Sequence, residues 1–167
     1  MSNEFVRQVL IGTHFGSIDC KGYTEEELEV IARVYNINLH GQLKAFLAEM
    51  GRSDGGLIGD SMIMLYRSHW RVRQHLLFQM GLFDNLQEAG LYDQLNRPFV
   101  VAVVSENYYY YMQTKLTNDV VFLYDANEDT VTTTEYDLIG LLRDLALHEN
   151  RGHSELGLCT SGDLLTL

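Results

Sequence analysis

Six histidines, two cysteines and 23 Asp/Glu residues are the side chains of this 167-residue protein with the most chemistry to offer. The sharpest spacing is HENRGH, His148 to His153. Zinc proteases carry two histidines one helical turn apart, with a glutamate after the first, so that both rings share a face. Here the histidines are five apart, which rotates the second off that face, and Gly152 breaks the helix. His69 and His75 are six apart beside Arg71 and Arg73 and read as a solvated helix face. His14 and His40 have no nameable partner in the sequence.

Other motifs fail on chemistry as well. The glycine-rich stretch GRSDGGLIGD, residues 51–60, lacks the Gly-Lys-Ser/Thr ending of a phosphate loop and precedes a strand, not a helix. Asp54 and Asp60 would repel phosphate, so the stretch reads as a connection. No serine occupies a G-x-S-x-G elbow. Cys20 and Cys159 fit no metal spacing and carry no nucleophile signature, so both are expected as free thiols in a reducing cytoplasm. Carboxylates are abundant, but abundance alone selects no glycosidase or nuclease centre. The residues therefore point to a binding domain without catalysis, metal or cofactor.

Charge placement narrows the partner. Residues 1–73 carry eight Lys/Arg against nine Asp/Glu, whereas residues 74–167 carry four against fourteen. That acidic half repels a phosphate backbone, which argues against nucleic acid. It attracts a basic protein and speeds encounter with it. The one basic cluster, Arg67, Arg71 and Arg73, could meet acidic residues of a second copy in a weak homo-oligomer, although a solvated helix face is the better account. No run approaches the ~18 apolar residues of a membrane span. The start, MSNEFVRQVLIGTHFG, has no long apolar core behind a basic head, so it does not read as a secretory signal, and the cytoplasm is the expected location.

These residues must be positioned by elements that the pattern predicts. Thr24 with Glu27 three residues on is a capping box, opening a helix with Leu28, Ile31, Ala32 and Tyr35 at helical spacing. A second helix runs from about His40 to Met50, with Leu39, Leu43, Phe46, Leu47 and Met50 as its stripe. Met62 to Tyr66 reads as a strand. A further helix is capped by Ser68, turns Trp70 and Leu77 inward and ends near Gly81, followed by a short helix and turn over residues 84–96. From Pro98 the period becomes that of strands: PFVVAVVSE, a turn at Glu106-Asn107, YYYYMQT, KLTNDVVFLYD and TVTTTEYD. A closing helix spans about Glu135 to His148. The short connections leave no room for parallel crossovers. The fold class is α+β: an antiparallel sheet of about five strands, with N-terminal helices and a closing C-terminal helix packed around it.

The segment VYNINLHGQLKAFLAEMGRSDGGLIGD, followed by SMIMLY, resembles the N-terminal half of the SUKH superfamily. Leu39 and Phe46-Leu47 match its helix pattern, and Gly51 with Gly55-Gly56 resembles its glycine turn. The run from Pro98 to Leu145 resembles its second half, in which adjacent strands lead to a closing helix. His40 departs from the proline that the family commonly carries there. The resemblance covers roughly residues 24–147 of a single domain spanning 1–167, with 148–167 as a C-terminal extension.

What the resemblance implies is a bacterial immunity protein that binds and blocks a cognate toxin, in many cases one that acts on nucleic acid. The alternative that it implies is a regulatory scaffold of the fungal cell-wall assembly type. The acidic half fits a basic toxin independently, because it can imitate the phosphate track of a nuclease substrate. The expected contacts are Glu106, Asp119, Asp125, Glu128 and Asp129 in or beside the strand turns. In YYYYMQT, alternation places Tyr108 and Tyr110 on one face and Tyr109 and Tyr111 on the other. Tyr109 and Tyr111 are the pair expected to face the partner.

Overall fold

The computed structural model describes residues 3–13, 19–52, 54, 57, 62–63 and 72–148. Three helices come first: α1 (Glu4–Leu10), α2 (Glu25–Tyr35) and α3 (Gly41–Met50). A two-residue strand β1 (Met62–Ile63) and a long helix α4 (Val72–Glu88) follow, then a 3-10 turn (Tyr92–Gln94). The meander is β2 (Pro98–Val104), β3 (Tyr108–Gln113), β4 (Val120–Asp125) and β5 (Thr130–Asp137), closed by α5 (Leu138–His148). The sheet order is β1-β2-β3-β4-β5, and every pair is antiparallel. Four strands have full length and β1 is a short edge.

The capping box forms as its spacing predicts. Glu27 donates its backbone N–H to Thr24 Oγ1, and the Glu27 carboxylate accepts from the Thr24 N–H. Leu28, Ile31 and Tyr35 bury the apolar face of α2, and Asn36 ends the helix in the left-handed region. In α3 the stripe Leu43, Phe46, Leu47 and Met50 is buried. His40 supplies no side-chain cap there. Asp119, from the β3–β4 loop, takes that role and accepts from the Gln42 N–H at 2.9 Å. Gly41 permits this approach, since its φ is +52° and a Cβ would lie 2.2 Å from Asp119 Oδ1.

The sheet is covered on both sides. One face, with Phe99, Val101, Met112 and Val121, packs against α1, α2, α3 and α5. The other, with Val100, Val103, Tyr109, Tyr111 and Tyr124, packs against Leu82 and Leu86 of α4. Burying these aromatic rings removes much apolar surface from water, at roughly 25 cal/mol per Å².

Three expectations need correction. The central helix does not end near Gly81 but passes through it to Glu88, and a Cβ at Gly81 would lie 3.6 Å from the Tyr109 hydroxyl, an ordinary contact. Leu77 does not point inward; it is 66% exposed. The buried stripe of α4 is His75, Gln79, Leu82 and Leu86, so two polar residues hide its period. The closing helix starts at Leu138, not Glu135, because β5 runs to Asp137 and the Asp137 carboxylate caps α5 through the Gly140 N–H at 2.7 Å. Ser68, Trp70 and Met64 to Tyr66 lie outside the described residues.

Candidate functional site: the acidic end of the sheet

The β2–β3 and β4–β5 turns lie at the same end of the sheet. Tyr108 at the start of β3 pairs with Asp125 at the end of β4, and the Ala126 N–H reaches the Asn107 carbonyl. Ser105 and Glu106 hold φ of +50° and +63°, the conformation that matches a hairpin turn to strand twist. The geometry gathers Glu106, Asp125, Glu128 and Asp129 around these two turns. Glu106, Glu128 and Asp129 are exposed, and Asp125 is half-buried. None of the four stands in an ion pair among the described residues; the two pairs there are Lys44–Glu25 and Arg52–Glu27.

Two of these acids also shape their own turn. Asp125 Oδ1 accepts from the backbone and side-chain N–H groups of Asn127. Asp129, at φ +51°, accepts from the Tyr124 hydroxyl at 2.8 Å. Burial, reinforced by Asp129, pushes the Tyr124 phenol up from its ordinary value.

The structure separates Asp119 from this group. It lies in the β3–β4 loop at the opposite end, half-buried, with its carboxylate committed to the N-terminus of α3. Gln42 ties the same corner together: its amide donates to Asp137 and accepts from the Ile139 N–H at the start of α5.

The tyrosine pair is corrected as well. Tyr109 is 7% exposed and Tyr111 is fully buried, so neither ring is available on the surface. Tyr109 packs against Phe78 and Tyr124, and Tyr111 stacks on Phe122. The Tyr111 hydroxyl donates to Gln94, which also accepts from Gln113. This ties the 3-10 turn to β3. Tyr109 and Tyr111 instead pack towards α4, while Tyr108 is 37% exposed and Tyr110 is half-buried.

Sequence reasoning missed a buried polar cluster on β2. The register of β2 on β3 shifts between Val100 and Ala102, and among the described residues β1 pairs with Val103 and Val104. The outer edge at Pro98–Val100 is completed by α4 instead. Gln79 donates to the Pro98 carbonyl and accepts from the Val100 N–H at 2.9 Å. His75 lies 2.7 Å from the Val100 carbonyl through Nε2 and 2.9 Å from the Tyr35 hydroxyl through Nδ1. A carbonyl only accepts, so Nε2 carries the proton and Nδ1 accepts from Tyr35. Burial holds the imidazole down at about 4. These polar side chains act as a substitute strand, and they are structural.

The remaining reactive groups do not assemble a centre. Among the described residues, no three His, Cys, Asp or Glu side chains gather as metal ligands. Burial, with Asp54, Asp19 and Glu49 nearby, pushes the Cys20 thiol up to about 12, which keeps it protonated. Cys20 borders a groove of about 730 Å³ with Tyr23, Leu28 and Glu49, but Glu49 is engaged with the Val6 N–H. His40 contacts the Thr114 carbonyl through Nε2. His14, His69, His153, Cys159, Arg67 and Arg71 lie outside the described residues, as do the side chains of Arg73 and His148 and most of residues 51–60. Among the described residues no helix is long and apolar enough to cross a membrane.

No family model matches the chain, and no curated protein or solved structure matches it either.

Proposed function

We propose that this chain is an immunity protein that binds and neutralises a cognate, basic, nucleic-acid-targeting toxin domain in the cytoplasm. The observation that carries this reading is the gathering of Glu106, Asp125, Glu128 and Asp129 at one sheet end, without a basic partner among the described residues. Short turns between paired strands hold these charges, so little ordering entropy is lost when a partner docks. The carboxylates offer a basic cleft what its phosphate substrate would offer. The role asks for no catalysis and no cofactor.

The experiment is inhibition of a basic toxin domain encoded beside this gene. Full inhibition by the wild-type chain is expected. Charge reversal at Glu106 and Glu128 should slow association at low salt and flatten the dependence of inhibition on salt. Unchanged inhibition by that variant would remove the acidic end from the interface.

A further inference from the structure

We propose that the outer edge of β5, at Val131 and Thr133, seats an extended basic segment of a protein partner, which joins the sheet as an added strand. The edge deepens the neutralisation reading and rests on it for its natural partner. The strand register shows which backbone groups are open. The Ala126 N–H donates to the Asn107 carbonyl, so Phe122, Tyr124 and Ala126 turn their backbone groups towards β3. The alternate residues Val121, Leu123 and Asp125 turn theirs towards β5. Thr130 and Thr132 stand opposite Asp125 and Leu123 and bond them. Val131 and Thr133 therefore direct a donor and an acceptor each away from the sheet. Among the described residues, no backbone group reaches them.

The two sides of the sheet are finished differently. On β2, His75 and Gln79 close Pro98–Val100 from α4. On β5, the irregular end closes itself: Thr134 Oγ1 donates to the Val121 carbonyl at 2.6 Å and accepts from the Tyr136 N–H at 3.2 Å. The stretch Thr130–Thr133 pairs regularly with β4, and Thr130, Thr132 and Thr133 are exposed. Exposed edges are ordinarily blunted by lysine, by proline or by a very short strand. β5 is eight residues long and contains neither lysine nor proline, and its threonines and valine favour pairing.

Charge selects the occupant. Residues 125–137 carry Asp125, Glu128, Asp129, Glu135 and Asp137, and no Lys or Arg. Asp129 precedes the open stretch and Glu135 follows it, so cations flanking the added strand meet opposite charge at both ends. Asp125, paired with Thr130, makes the edge continuous with the acidic end. A second copy is disfavoured there. Antiparallel pairing of Val131 with Thr133 of that copy would bring Asp129 against Glu135, like charges directly across. Main-chain hydrogen bonds would hold the basic segment, and its alternate side chains would set the specificity.

The test is a peptide titration of the full, isotope-labelled chain, followed by its backbone amide resonances and their hydrogen exchange. The probes are the acetylated and amidated peptide KRVTVRK, the same peptide with its central Val-Thr-Val amides N-methylated, and the acidic counterpart EDVTVDE. A saturable shift and slowed exchange of the Val131 and Thr133 amides with KRVTVRK is expected. The Thr130 and Thr132 amides, already bonded to β4, should change little. The methylated and acidic peptides should each bind at least about tenfold more weakly. Thr133→Pro removes an outward N–H and spares the ladder, and Glu135→Lys reverses one flank; each should weaken KRVTVRK roughly three- to tenfold. No saturable shift, equal binding of either control peptide, or wild-type affinity in both variants would overturn the edge. Concentration-dependent slowing of the same amides without peptide would seat a second copy there and overturn it as well. A toxin domain bound equally well by the wild type and by both variants would overturn it too, while leaving neutralisation standing. KRVTVRK seated on β5 in a chain that inhibits no toxin domain would support the edge and defeat the neutralisation reading.

Discussion

The His75 imidazole donates to the Val100 carbonyl at 2.7 Å, closing the β2 edge from the side of α4. The ring is 1% exposed and is packed against Phe99 and Tyr35. Its role is to satisfy backbone polarity where the β2 bulge breaks the ladder.

Stability should therefore depend on pH through His75. The folded pKa, about 4, lies below the ordinary histidine value of 6.5. The unfolded chain thus binds more protons between those values. The stabilising contribution is complete above pH 6.5, declines as pH falls, and is exhausted below about 4. The size is about 3 kcal/mol at full development. Urea unfolding from pH 7 to 4 measures it, and His75→Gln should flatten that dependence while lowering stability at pH 7.

Gln79→Leu should cost about 2–4 kcal/mol. The substitution preserves size but orphans the Val100 N–H and the Pro98 carbonyl, both buried behind α4. Chemical denaturation reads the loss, and an unchanged midpoint would show that the edge does not depend on the amide.

Asp119→Ala should lower stability by about 1 kcal/mol and leave partner binding intact. Its carboxylate caps α3 at the end of the sheet opposite the acidic turns. Gly41→Ala should destabilise further, since a left-handed φ and a Cβ 2.2 Å from Asp119 Oδ1 both oppose it. Thermal melts of the two variants check the order. If Asp119→Ala instead impaired binding at unchanged melting temperature, the cap would be its lesser role.

Tyr111→Phe should cost about 1 kcal/mol, because Gln94 loses one of its two donors while the ring stays buried. Partner affinity should not change. Equal losses of affinity and stability would return Tyr111 to the interface.

Much of the architecture was legible because pattern and chemistry agreed. Thr24 with Glu27 announced α2, the Leu43–Met50 stripe announced α3, and the alternating run from Pro98 announced the meander. The errors arose where polar residues do core work. His75 and Gln79 occupy the buried stripe of α4, so periodicity favoured Leu77, which faces water. Alternation in YYYYMQT separated the tyrosines into two pairs correctly. It could not tell which pair faces α4, since that depends on a helix crossing the sheet from elsewhere in the chain. Likewise, sequence proximity to turns grouped Asp119 with Glu106 and Glu128, yet antiparallel pairing sends successive turns to opposite ends.

The central claim is that the acidic sheet end captures a basic toxin domain. The most direct measurement is the association rate with that domain as salt is varied, comparing the wild type with a Glu106→Lys/Glu128→Lys variant of equal melting temperature. The account predicts at least a tenfold slower rate for the variant at low salt, with the two rates converging as the Debye length shrinks to roughly 3 Å at 1 M salt. Equal rates at low salt would contradict it.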